Sequence, residues 1–258
     1  MSNLILSSKP LIEAIFELQW KLEEIDKGFF RDPDYKIIIG QIFEKVEADY
    51  PFHQELPTAK MPDEFLAHVV QHQFRRMDNG WPLIQLGPGI VSLNDTEGYL
   101  WSDFEQRIAK LLEVLFELYS KSIRTLRVER LLLRYIDAVE FDYEHDDIFE
   151  FLKGKMKTTI SLNKKLFDKT AVKELPKFFD LRFSFPTNKP AGIAHLRFVS
   201  GKKEGKPALI WETQVFTDNK EIPNSKDRIK SWIREAHDLT HDWFFKMIEG
   251  ELFERFNQ

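Results

Sequence analysis

Cysteine is absent from the 258 residues. With it go disulfides, thiolate nucleophiles, iron–sulfur clusters and every zinc site built on sulfur. No uncharged apolar run approaches the roughly 18 residues that a membrane-crossing helix needs. The opening MSNLILSSKP holds a short apolar patch with no charged lead-in, less than the hydrophobic region of a secretory signal. The expectation is a cytoplasmic protein away from membranes. Acids outnumber bases, 42 Asp and Glu against 37 Lys and Arg, for a net charge of −5. That balance argues against a protein whose main task is to hold nucleic-acid phosphates. A G-x-S-x-G elbow, a dinucleotide fingerprint and the kinase motif set are all missing. The stretch GKKEGK at 201–206 lacks the spacing of a phosphate-binding loop and suits a hairpin turn.

Phenylalanine, by contrast, is plentiful. Most of the 23 sit in periodic segments, which implies a Phe-rich core. In PLIEAIFELQW, Ile12, Ala14, Phe16, Leu18 and Trp20 alternate with Glu13, Glu17 and Gln19, the pattern of a half-buried strand. Asp32 and Pro33 read as the start of a helix carrying Ile38, Ile39, Ile42, Phe43 and Val46. Extended chain follows over 65–77 and 81–93, with Asp78-Asn79-Gly80 as a hairpin signal. Ser102 and Glu105 have capping-box spacing ahead of a stripe from Phe104 to Tyr119. A long strand spans 125–142, a short helix follows, and a lysine-rich connector runs to about 175. Strands at 177–186, 192–200 and 207–217 then lead into a long helix that starts after Asn224 or Ser225 and runs to about Gly250.

Each half therefore reads strand, helix, two or three strands, long helix. The fold class expected is α+β, with antiparallel sheets each carrying a long helix. The halves are 1–123 and 124–258, similar β-α-β-β-β-α units that either stand apart or share one continuous sheet.

Five segments occur in a telling order: KPLIEAIFELQW, WPLIQLGPGIVSLN, YLWSDFEQRI, LRYID and AHDLTHDWFF. Spread from Pro10 to Phe245, the ordered set resembles a sporadically distributed family of bacterial and archaeal proteins of about this length. Relatives usually carry Asn-Trp after the middle strand; here Asn94-Asp95 stands, with Trp101 displaced downstream. In the closing segment His237-Asp238 matches, and His241 is an addition of this chain. The family has no established activity. The resemblance implies a domain type and a patchy distribution of the kind seen in mobile or defence-associated gene modules.

Three groups of residues invite a chemical reading. His237 and His241 lie four apart on a helix, as zinc proteases present two imidazoles, with Asp238 where their general base stands. Aspartate is short for that task and a third ligand is not evident, so a structural histidine hydrogen-bonded to a neighbouring strand is the simpler reading. Arg130 and Arg134 share one face of the long strand. Arg134 can take an anionic ligand through its two-pronged guanidinium, or pair with Glu13 or Glu17 on an adjacent strand. Finally, 153–173 holds seven lysines after an acidic run, with Lys155, Lys157, Lys164 and Lys165 as candidates to meet nucleic acid or a partner, or simply to be solvated. The leading expectation is a non-catalytic protein that binds another protein or a ligand, another protein being the partner expected, with no cofactor. The alternatives are a metal-dependent hydrolase or nuclease on His237 and His241, and a nucleic-acid module using the lysines.

Overall fold

A computed structural model describes residues 6–62, 65–96, 98–121, 125–218 and 221–258. The expected boundary between 123 and 124 and the first five residues of the opening lie outside these. The chain starts its sheet at the centre. Strand β1 (Leu11–Trp20) buries Ala14, Phe16, Leu18 and Trp20 on one face, as its alternation requires. A bulge between Leu11 and Glu13 breaks the pattern at Ile12 and sets Leu11 opposite Asp137.

From β1 the chain passes a small ribbon, β2 (Glu23–Asp26) and β3 (Phe29–Arg31), and helix α1 (Tyr35–Val46). It reaches the far edge at β4 (Phe52–Glu55) and returns through β5 (His72–Arg75), β6 (Leu83–Gly87) and β7 (Ile90–Asp95), which pairs with β1. Helix α2 (Trp101–Lys121) follows. Strand β8 (Val128–Glu140) then starts again at the centre, antiparallel to β1. The short helix α3 (Ile148–Lys155) and the connector lead to the opposite edge at β9 (Asp180–Asn188). The return runs through β10 (Ala191–Lys203) and β11 (Lys206–Thr217), which pairs with β8. Helices α4 (Lys226–Ile248) and α5 (Glu251–Phe256) close the chain.

The result is an α+β fold with a large antiparallel sheet. Among the described residues it has nine strands in the order β4-β5-β6-β7-β1-β8-β11-β10-β9. Strands from before and after α2 meet at the β1–β8 pair, so of the two alternatives the strands lie in one continuous sheet. Nor does each long helix have a sheet of its own: α2 and α4 lie side by side over the same face, tied by Lys230–Glu113 and Arg234–Glu105. One core cluster lies under α1, α2 and the first half of α4, and includes Phe16, Leu133, Leu112 and Trp232. A second surrounds the fully buried Trp211 and Phe198 beneath α3, the end of α4 and α5. Among the described residues no helix is long and apolar enough to cross a membrane.

Local signals shift in instructive ways. Helix α1 begins at Tyr35 with Asp34 as its cap residue, because the side chain of Asp32 is committed to the interior. Helix α2 begins at Trp101, so Ser102 sits inside the first turn and Glu105 pairs across to α4 rather than back to Ser102. Only His72–Arg75 of the expected 65–77 segment is strand, and the hairpin to β6 uses a loop of several residues that includes the cis Trp81–Pro82 bond. The turn at Glu204-Gly205 is tight, both residues taking positive φ, and matches the reading of GKKEGK as a hairpin. In the connector, Met156 is fully buried and Ile160 packs on the second core, while 161–175 is exposed apart from Phe167. Replacing 161–175 by a Gly-Ser linker should therefore cost less than about 1 kcal/mol, a few degrees in a thermal melt. A larger drop would mean that this stretch is packed.

Candidate functional site

Five elements meet at one cavity of about 170 Å³ on the helix-covered face of the sheet. Strand β8 supplies its floor, Tyr135 and Asp137, two residues apart and so on the same face. Thr213 of β11 stands opposite Tyr135 and joins the floor. Helix α4 supplies His237, Thr240, His241 and Phe244, the spacing that puts one stripe of a helix on one wall. The segment entering α2 adds Tyr99, Leu100 and Trp101, and the start of β1 adds Lys9, Pro10 and Leu11.

His237 is held on three sides. Its ring stacks on Trp101 with centroids 3.7 Å apart and planes 6° from parallel. Its Nδ1 lies 3.0 Å from the Tyr135 hydroxyl, which lies 2.9 Å from the Tyr99 hydroxyl. Burial, with a smaller contribution from His241, holds its pKa down to about 3, so the ring is neutral near pH 7. His241 is lowered too, mainly by burial, and its ring centroid is 5.3 Å from that of His237. The expectation of a histidine hydrogen-bonded to a neighbouring strand matches this geometry. A metal would need a third ligand, and among the described residues no group of three or more His, Cys, Asp or Glu is placed to hold one.

The floor is less settled. Asp137 is 2% exposed, and its Oδ2 has no hydrogen-bond partner among the described residues. Burial pushes its carboxyl up to about 8, against a weak opposing pull from the charge of Lys203. Thr213 is 1% exposed, and its Oγ1 is also unpartnered among the described residues. Buried polar atoms in folded proteins are nearly always paired, so two orphans on one cavity floor call for an explanation. Sequence reasoning passes over Asp137. The signal was there: an acid in phase with Leu131, Leu133 and Tyr135 on the buried face of a strand.

The other candidate residues lie elsewhere. Arg130 and Arg134 are on the opposite face of the sheet. Arg130 sits over the Phe216 ring at 4.9 Å. Arg134 pairs with Glu212 at 2.7 Å, and Glu212 also holds Arg197 at 2.9 Å. The expected partners on β1 are engaged otherwise: Glu13 accepts from Asn94 and Glu17 from Gln19. Glu13 on β1 and Glu212 on β11 both stand opposite Ile136, so Arg134 is diagonal to each, and it takes Glu212. Glu212→Ala should cost about 1–3 kcal/mol, because it leaves Arg134 without its carboxylate and takes from Arg197 one of two, the other being Asp180. In urea unfolding it should exceed Arg134→Ala; equal losses would show that Arg197 gains nothing from the pair. Lys155 pairs with Glu251 at 2.9 Å and lies over Phe151, Lys157 is in the turn after α3, and Lys164 and Lys165 stand on a short 3₁₀ turn. None of the four lines the cavity.

No family model and no curated protein matches this sequence.

Proposed function

We propose that this is a binding protein rather than an enzyme, and that the cavity between α2, α4 and β8 receives a small organic ligand. One observation carries the reading: an apolar, aromatic-walled cavity, two of whose lining residues, Asp137 and Thr213, each hold a buried oxygen with no partner among the described residues. That combination of apolar walls and a few convergent polar groups is the usual make-up of a ligand site. The cavity's size matches a single ring, since an engineered cavity of ~150 Å³ holds benzene. Four of the five segments that carry the resemblance, those containing Lys9, Tyr99, Asp137 and His237, converge here. Membership in that sporadic family is part of the same proposal, and rests on the ordered segments alone.

The test is a melting screen against ring-sized fragments. A ligand present at 100 times its Kd should add about 2.7 kcal/mol of stability, several degrees. Silence across charged, neutral and acidic fragments alike would defeat the proposal.

A further inference from the structure

We propose that the polar end of the ligand is an organic ammonium group, received by Asp137 Oδ2 and Thr213 Oγ1 and enclosed by the aromatic wall. This rests on the binding reading above and names the chemistry that the site selects. Both floor oxygens lack a donor among the described residues, and both belong to side chains that are almost wholly buried. An ammonium group carries three N–H donors and a positive charge, so one group can satisfy both orphans and balance the carboxylate. A neutral alcohol brings a single donor and no charge. The walls suit a cation as well: Trp101, Tyr135 and Phe244 present aromatic rings around the floor, and ring faces attract ammonium ions.

The charged groups around the floor leave room for a cation. Lys203, near the end of β10, acts on Asp137 through its charge but fails to offset burial. Lys9, on the segment before β1, donates its Nζ to the Tyr99 carbonyl. His237 and His241 on α4 are both lowered and stay neutral near pH 7. Asp238 and Asp242 act on His241 from the same helix, and they add negative charge to that side. The carboxyl, poised near 8, gives up its proton when a cation arrives at pH 7, so binding releases close to one proton.

Titration calorimetry with benzylamine, benzyl alcohol and Nα-acetyl-lysinamide tests this on the full chain. Benzylamine is expected to bind at least ~10-fold more tightly than benzyl alcohol, the discrimination that one charge-assisted pair supplies. At pH 7, titrations in two buffers of different ionisation heat should show a proton released with benzylamine and none with the alcohol. Asp137→Asn should weaken benzylamine far more than the alcohol and so remove the preference; if that variant fails to fold, the proton release in the native protein decides alone. Binding by benzylamine without the lysine derivative identifies a free amine as the source. Binding by both points to the lysine of a peptide, and either supports the ammonium site. If the alcohol binds as well as the amine, or no proton is released, the ammonium assignment falls and the binding reading stands. If none of the three binds, the cavity is not a site for ring-sized ligands, and both fall.

Discussion

Asp32→Ala is expected to cost about 4 kcal/mol, the sum of several buried donors left without an acceptor. The carboxyl of Asp32 lies in the interior, 9% exposed, between the small ribbon and helix α1. Its Oδ2 accepts from Trp20 Nε1 at 2.9 Å, from the Tyr119 hydroxyl at 3.0 Å and from the Gly89 amide at 3.4 Å. Its Oδ1 accepts from the Asp34 amide at 3.1 Å, just ahead of α1. One side chain thus ties the end of β1, the turn between β6 and β7, helix α2 and the start of α1. Burial, and then the charge of Asp32, push the Tyr119 phenol well above its ordinary range, so it remains a donor at every accessible pH. Asp32→Asn keeps one acceptor and turns an NH₂ toward donors, so it should lose part of the same amount. Chemical denaturation of both variants checks this; a loss under ~1 kcal/mol for the alanine variant would mean that water replaces the carboxylate easily.

The second large effect is a pH dependence with a definite sign. The folded carboxyl of Asp137, near 8, holds its proton more tightly than an unfolded aspartate. Its contribution to stability is therefore full below about pH 4 and is lost as pH rises toward 8, at about 1.4 kcal/mol per unit. His237 acts in the opposite sense. Its folded pKa is near 3, so its contribution is full above about 6.5 and is lost as pH falls toward 3. The two oppose each other in acid, and between about 6.5 and 8 the carboxyl acts without the histidine. Asp137→Asn, which mimics the protonated acid, should remove the slope due to the carboxyl. Unfolding free energies measured from pH 4 to pH 8 should show the native protein losing, relative to that variant, on the order of 5 kcal/mol across the window. Parallel curves for the two proteins would show that Asp137 ionises as an ordinary aspartate.

Much of the architecture was readable from local pattern. The alternation in β1, the stripe of α2 and the hairpin of β10 and β11 follow from periods of 2 and 3.6 residues that need no tertiary knowledge. What stayed hidden depends on strand order. Arg134 meets Glu212 because β11, which comes later in the chain, inserts beside β8, and no local pattern carries that choice. Asp32 looks like a helix cap because aspartate before proline has that habit, yet Trp20 and Tyr119 claim its oxygens from 12 and 87 residues away. Ser102 and Glu105 have the spacing of a capping box, but Arg234 on α4 takes the glutamate. The site was half legible. His237 was a candidate from its motif and Tyr135 was in phase with the core. The cavity itself appears only when β1, β8, β11, α2 and α4 come together, and only then do Asp137 and Thr213 share its floor, each with an oxygen unpartnered among the described residues.

The most direct test of the account is where a bound amine sits. In ¹H–¹⁵N spectra of the full chain titrated with benzylamine, the largest shifts should fall on the Trp101 indole and on the amides of Asp137, Thr213 and His237. Residues of the opposite sheet face, such as Arg130 and Phe216, should stay still. Shifts centred on that opposite face, or spread evenly over the surface, would contradict the assignment of the cavity as the binding site.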